Sequence, residues 1–239
     1  MSNVCQVSDT EARRRYTREQ KGIEMTMEQP TLDQTRRSLH GIAELVLAGP
    51  QYAACQSIRL RVTPGGFGTV STPDLRIDGV ELVTPSTRIP LSGTFADLAR
   101  AADVEARPLR DVYEVGPDVT DRDAIAVDPD AVAIILAAFS RGDAAMRTFA
   151  PDQEPVIWPE HFDIGISVDE VNYGVSPGDG HLGEPYAYIG PWSPRKGEFW
   201  TTPFGAARPL TELSDVDALA AFFHEGAKRA AGDPVAKAH

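Results

Sequence analysis

The sequence predicts an α+β fold, in which helices pack on antiparallel strands. Apolar and polar residues alternate over 56–91 and again within 155–200, which is typical of half-buried strands. Between and around these segments, apolar residues recur at helical spacing. The helix predicted at 128–149 could join the two strand segments in one core or link two small domains. No flexible Gly/Ser linker separates the segments, so a single domain over 31–239 is expected. The predicted helices cover about 31–48, 94–103, 128–149 and 214–231.

The helix boundaries are predicted from capping patterns. Thr31 and Gln34 have the spacing of a capping box, in which each side chain bonds the other residue's backbone amide. Gly49-Pro50 is expected to end this first helix, because proline lacks the amide hydrogen that a helix needs. The three later helices are predicted to start at the caps Thr94, Asp128 and Ser214.

The first strand segment is predicted to be an antiparallel meander. Ile58, Leu60 and Val62 alternate with arginines, and a glycine-rich turn follows at 64–68. Asp78-Gly79 then separates two short apolar runs, which indicates a tight hairpin. The meander therefore has one buried and one solvated face.

Composition and charge restrict the partners. The chain has 35 acidic and 23 Lys or Arg residues, a net charge of −12, which disfavours nucleic acid and anionic membranes. Cys5 and Cys55 are expected to be free thiols, and residues 1–30 a disordered or extended lead-in. No apolar core of a signal peptide precedes the domain, so a cytoplasmic location is expected. The oligomeric state stays open.

Residues 151–209 hold half of the aromatic residues and half of the net charge. Within them, alternating apolar residues over 162–168 and 171–175 flank Asp169-Glu170. A two-residue turn there would pair Val168 with Val171 and put both apolar rows on one face. The opposite face would pair Ser167 with Asn172 and Gly165 with Gly174. His161 and Asp163 are expected at one end of this polar face.

The loop at 176–185 contains three glycines and two prolines, and it is predicted to close over that end of the hairpin. Imidazole and carboxylate groups from the hairpin and the loop could bind Zn²⁺, Fe²⁺ or Mn²⁺. Alternatively, Asp163 orients His161 for acid–base chemistry, since imidazole titrates near neutral pH. A third interpretation is purely structural, with His161 capping a strand end. The candidate metal ligands are His161, Asp163, Asp179, His181 and Glu184, and the candidate catalytic residues are His161 and Asp163.

Several short strings resemble a family of uncharacterised bacterial proteins, a domain of unknown function. The resemblance extends over about residues 35 to 209, and it implies a bacterial protein with one coherent domain. It implies no activity and no catalytic residues. The strings that carry it are 158–163, 170–174, 177–179, 184–186 and 190–192.

Two main function classes are consistent with these residues. An enzyme would use His161 as base or metal ligand and the neighbouring acids to complete the site. A binding module would hold a small apolar or cationic molecule without chemistry. A protein–protein interaction module is a plainer alternative. In the first two classes the walls would come from aromatic residues, namely Trp158, Tyr186, Tyr188, Trp192 and Trp200.

Overall fold

A computed structural model describes residues 28–236 and confirms the α+β class. The helices are α1 (Gln29–Gly41), a π-helical segment (Ile42–Ala48), α2 (Gly49–Cys55), α3 (Phe95–Ala101), α4 (Pro129–Phe149), a 3-10 helix (Leu210–Glu212) and α5 (Val216–Gly232). The strands are β1 (Leu60–Thr63), β2 (Gly66–Thr69), β3 (Arg76–Asp78), β4 (Glu81–Val83), β5 (Arg88–Pro90), β6 (Val156–Trp158), β7 (Asp163–Val168), β8 (Val171–Ser176), β9 (Tyr186–Pro191) and β10 (Ala206–Pro209).

All ten strands belong to one antiparallel sheet. Its order is β10-β9-β8-β7-β6-β1-β2-β3-β4-β5. The predicted meander forms one half and the hairpins of the second segment form the other. The halves meet where Leu60 of β1 pairs with Ile157 of β6. One continuous hydrophobic cluster connects both halves to the helices.

The first helical stretch contradicts the prediction that Gly49-Pro50 ends it. The chain stays helical to Cys55, because the π-helical segment changes the bonding pattern just before the proline. The Gly49 amide bonds the Glu44 carbonyl, so the next bond in that pattern would run from residue 50 to Leu45. Pro50 cannot donate it, and the Arg107 amide bonds the Leu45 carbonyl instead, at 2.9 Å. Contact with a distant segment thus compensates for the proline.

Two of the predicted caps are wrong, the first by three residues and the last by one. The first described helix begins at Gln29, so the proposed Thr31 cap lies inside α1, and the lead-in predicted for 1–30 otherwise lies outside the described residues. The last helix is capped by Asp215, whose carboxylate accepts the Ala218 amide, rather than by Ser214. The caps at Thr94 and Asp128 are confirmed, the former as a full capping box.

The central hairpin β7–β8 has the predicted register. Val168 pairs with Val171, and Gly165 with Gly174, across a turn in which Asp169 and Glu170 both have positive φ. In the meander, the predicted turn at Asp78-Gly79 is wrong by one residue, because Asp78 and Glu81 belong to the strands, so the turn consists of Gly79, at φ 58°, and Val80. The sequence did not predict β10, a short edge strand that ends in a proline.

Helix α4 covers one face of the hairpin. Its Gly142 lies against Ile164 of β7 and Val175 of β8, where an added Cβ would come within about 3 Å of both side chains. On the opposite face, Ser167 and Asn172 are exposed. That second face therefore contributes the floor of a cleft rather than the core. No helix within residues 28–236 is long and apolar enough to cross a membrane.

Candidate functional site

A cleft with a volume of about 970 Å³ lies beside the second face of the hairpin. Helix α1 borders it through Asp33, Arg36, Arg37 and His40. The loop at 115–117 and the turn at 160–162 form further walls, and β9 contributes Tyr186 and Tyr188. A volume of this size is typical of sites for small molecules.

The floor of the cleft contains a buried carboxyl group paired with a phenol. Asp163 is only 8% exposed, and its Oδ2 accepts a hydrogen bond from the Tyr188 hydroxyl. Its Oδ1 is equally buried and has no hydrogen-bond partner within the structure. Buried polar atoms in folded proteins nearly always have a partner, so this oxygen is an exception among the buried groups of the cleft.

Two glycines allow this pair to form. Tyr188 on β9 is paired with Gly174 on β8, which is paired with Gly165 on β7. The Tyr188 ring lies across both glycines, since a Cβ on Gly174 would come within 2.2 Å of the ring. Only strands without side chains at these positions let the hydroxyl reach Asp163, the first residue of β7.

Burial shifts the acidities of both groups. Loss of hydration raises the pKa of Asp163, and this effect outweighs the hydrogen bond from Tyr188, which lowers it. Burial and the adjacent carboxyl together raise the pKa of Tyr188 well above its usual value. Tyr188 therefore keeps its proton and remains a hydrogen-bond donor to Oδ2.

A second Asp–Tyr pair joins Asp179 of the loop to Tyr186 of β9, and the pKa of its carboxyl group is shifted in the opposite direction. The Oδ2 of Asp179 accepts the Tyr186 hydroxyl at 2.5 Å, and its Oδ1 accepts the amides of His181 and Leu182. Partial burial raises the pKa of Asp179, but these three hydrogen bonds outweigh it and leave the pKa lowered. Asp179 thus fixes the shape of the loop as an ionised residue.

His161 does not lie on the strand face where the sequence placed it. Strand β7 begins only at Asp163, and residue 162 has a φ of 53°, so the preceding residues form a turn. The imidazole is 59% exposed, and its Nε2 lies 3.7 Å from an oxygen of Glu160. Asp163 is hydrogen-bonded to Tyr188 instead, so it does not orient His161 through a hydrogen bond.

The turn that carries His161 is held by the neighbouring helix. His40 of α1 stacks on Phe162 with ring centroids 5.3 Å apart, and its Nε2 donates to the Pro159 carbonyl at 2.7 Å. Burial lowers the pKa of His40 to about 4, so its imidazole is neutral at ordinary pH. His40 therefore has a structural role.

The five predicted metal ligands do not lie together in the structure. Glu184 accepts a hydrogen bond from Thr211, and neither Glu184 nor His181 lines the cleft. The His181 ring instead contacts Phe204, with centroids 5.1 Å apart. In the described part of the chain, no group of three His, Cys, Asp or Glu residues is arranged to hold a metal ion. His161, Asp163 and Asp179 remain at the cleft.

Of the predicted aromatic walls, Tyr186, Tyr188 and Trp192 line the cleft, whereas Trp200 bonds Asp233 outside it. The role of Tyr188 as the partner of Asp163 was not predicted from the sequence. The two glycines on one face were the available signal, because a sheet face without side chains leaves room for a ring from the next strand.

Three comparisons with known proteins found no match. No family model, no curated protein and no solved structure matches it. The resemblance to an uncharacterised family therefore stays a prediction, and the function rests on the geometry of the site.

Proposed function

We propose that the cleft binds a small molecule and that Asp163 donates a proton to it. The observation that carries this proposal is the buried carboxyl on the cleft floor, with one oxygen bonded by Tyr188 and the other without a partner. A ligand atom hydrogen-bonded to Oδ1 would satisfy that oxygen. It would also be held beside an acid whose pKa is raised.

The arrangement of hydrogen bonds supports the role of proton donor. Tyr188 donates to Oδ2, so a proton on the neutral carboxyl is carried by Oδ1, the oxygen left for the ligand. Acids of raised pKa serve as general acids near neutral pH because they still hold their proton there. His161 and Glu160 line the same cleft, and the His161 side chain is 59% exposed.

Binding without chemistry is the second candidate, and the rim of the cleft favours it. Trp192, Phe204 and Val115 are 63%, 40% and 56% exposed, although each is a large apolar residue. All three line the cleft. Exposed apolar residues that converge on one cleft are typical of a ligand-binding surface.

The first test measures binding through the tryptophan indole N–H signals in NMR. A library of small neutral fragments is added to the ¹⁵N-labelled protein. Fragments that bind in the cleft shift the Trp192 signal and leave Trp200 unmoved, because Trp200 bonds Asp233 and does not line the cleft. If every fragment that binds leaves Trp192 unshifted, the cleft is not the binding site.

The second test measures the proton on Asp163. Carbon-detected NMR of the side-chain carboxyl groups should show Asp163 titrating above the ordinary aspartate range and Asp179 below it. An Asp163 signal that titrates in the ordinary range would refute the role of proton donor. Fragment binding at Trp192 with such an Asp163 would leave the non-catalytic binding module.

A further inference from the structure

A second, smaller cleft adjoins the first on the same face of the sheet. Its volume is about 470 Å³, and it is bordered by Arg59, Val156, Trp158 and the 153–154 segment. We call the larger cleft the first lobe and this one the second lobe. The two lobes share five lining residues, namely Glu160, His161, Asp163, Asn172 and Tyr188. The Asp163–Tyr188 pair thus lies where the lobes join.

The two lobes lie side by side across the strands, and together we call them the groove. The first lobe is lined by residues of β9, and the second lobe reaches Trp158 of β6 and Arg59 next to β1. Strands β9, β8, β7, β6 and β1 are consecutive in the sheet, with four spacings between them. At ~4.8 Å for each spacing, the groove spans roughly 19 Å. This length exceeds a single sugar ring or amino acid, so the groove suits a chain of linked units.

Each lobe contains an aromatic ring. In the first lobe, the Trp192 Nε1–H donates to Asn172 Oδ1 at 3.1 Å, and the Ser167 hydroxyl donates to the same oxygen at 2.7 Å. The indole edge is therefore fixed while the ring remains 63% exposed. In the second lobe, the Arg59 guanidinium lies over the Trp158 ring at 5.8 Å from its centroid. A fixed ring loses little entropy when a flat ligand stacks on it.

The charges of the groove disfavour an anionic ligand. The two arginines of the first lobe are already bound, Arg36 to Asp33 and the Gly183 carbonyl, and Arg37 to the Asp118 carbonyl. Glu160 lies at the junction in a chain of net charge −12, Asp163 there is neutral, and the Arg59 guanidinium of the second lobe contacts the Trp158 ring. The hydrogen-bonding groups of the junction thus match a neutral molecule that carries hydroxyl groups.

We propose that the groove binds a neutral oligosaccharide, with linked sugar rings in both lobes and a linkage beside Asp163. Sugar rings combine apolar C–H faces, which stack on aromatic rings, with hydroxyl groups that bond carboxyl, amide and phenol groups. This inference rests on the proposed function, since it names the class of molecule that the same cleft binds.

The test uses neutral mono-, di- and tetrasaccharides of glucose, xylose and N-acetylglucosamine, titrated into ¹⁵N-labelled protein. A tetrasaccharide should shift the indole signals of Trp192 and Trp158 with one shared Kd and leave Trp200 unmoved. A disaccharide should shift one of the two lobe signals and bind about fivefold more weakly, since it loses one stacking contact. Trp158→Leu should remove this length dependence and leave disaccharide binding at Trp192 unchanged.

If the Trp158 variant does not fold, Arg59→Gln takes its place, because it changes an exposed side chain of the second lobe only. It should change the Kd of the tetrasaccharide and leave disaccharide binding at Trp192 unchanged, and an unchanged tetrasaccharide Kd would contradict a sugar ring in the second lobe. Fragments that shift Trp192 while no saccharide shifts either signal would overturn this inference and leave the proposed function intact. Spermine, an extended oligoamine, serves as the competing probe. If spermine shifts both signals and saccharides do not, the neutral polyhydroxylated class is wrong.

Discussion

Replacing Asp163 with asparagine tests the buried neutral carboxyl directly. Asparagine has nearly the same shape, offers an oxygen to the Tyr188 hydroxyl and carries no titratable proton. In the wild type, burial raises the pKa of Asp163 in the folded state above the unfolded value of 3.8. The folded protein therefore holds this proton at pH values where the unfolded chain has released it.

The sign of the pH dependence follows from this difference. A raised folded-state pKa contributes stability that is fully present below the unfolded pKa and is lost as the pH rises through the folded pKa. The free energy of unfolding of the wild type, minus that of the Asp163→Asn variant, should fall from about pH 4 upward. The slope is ~1.4 kcal/mol per pH unit, the value for one proton, until Asp163 ionises.

The assay is urea denaturation of both proteins at a series of pH values from about 4 to 8. Asp179→Asn is the matched control. The pKa of Asp179 is lowered, so its contribution is present above the unfolded pKa and is lost only as the pH falls below it. The Asp179 difference should therefore stay constant over this range. A constant Asp163 difference, or one that rises with pH, would refute the buried neutral carboxyl.

Three further predictions test the surrounding structure. Gly174→Ala should lower the free energy of unfolding by about 1–3 kcal/mol in urea denaturation, because the added Cβ would overlap the Tyr188 ring. The control Gly180→Ala should have little effect, because the space around Gly180 is open. An equal loss of stability in both variants would contradict the close approach of Tyr188 to Gly174. Thr94→Ala should cost about 1 kcal/mol through the lost capping box, whereas Thr94→Ser should restore most of it. His40 has a folded pKa lowered to about 4, so its contribution is lost as the pH falls from 6.5 through about 4. His40→Gln, which keeps an N–H donor, should show a smaller loss of thermal stability over that range, and an unchanged loss would assign it to another group.

The hairpin at 163–176 shows how much of the fold was predictable. The side chains of Val168, Val171 and the alternate residues beside them form one apolar face of the hairpin. A shift of the strand register by one residue would expose this whole face to solvent. Asp169 and Glu170 fill a turn with positive φ at both positions. Pattern and turn therefore specify the same register, and the prediction was confirmed in detail.

The first helix shows where local patterns fail. Gly49-Pro50 is a strong local signal for a helix end, yet the helix continues through it. The Arg107 amide supplies the bond that Pro50 cannot make, and Gly49 leaves room for the Arg107 carbonyl. Both contacts are made by Arg107, which is far from the proline in the sequence, so the residues near Pro50 do not predict them.

The candidate site, like the fold, was predictable only in part. Asp163 and the two glycines on one face were predictable, because strand alternation assigns each residue to a face. The position of His161 depended on where β7 begins, and the turn held by His40 delays that start until Asp163. Glu184 and His181 were predicted to converge on the site from their loop alone, but bonds and contacts to Thr211 and Phe204 turn them elsewhere.

The sequence by itself determined which face of each strand is apolar and where the central hairpin turns, since both depend on neighbours a few residues apart. Only the tertiary structure decided that Asp163 bonds Tyr188, that one carboxyl oxygen is left without a partner, and that two lobes meet at this pair. The reason is the placement of β9 beside β8, which carries the Tyr188 ring over Gly174 and Gly165 to a carboxyl two strands away.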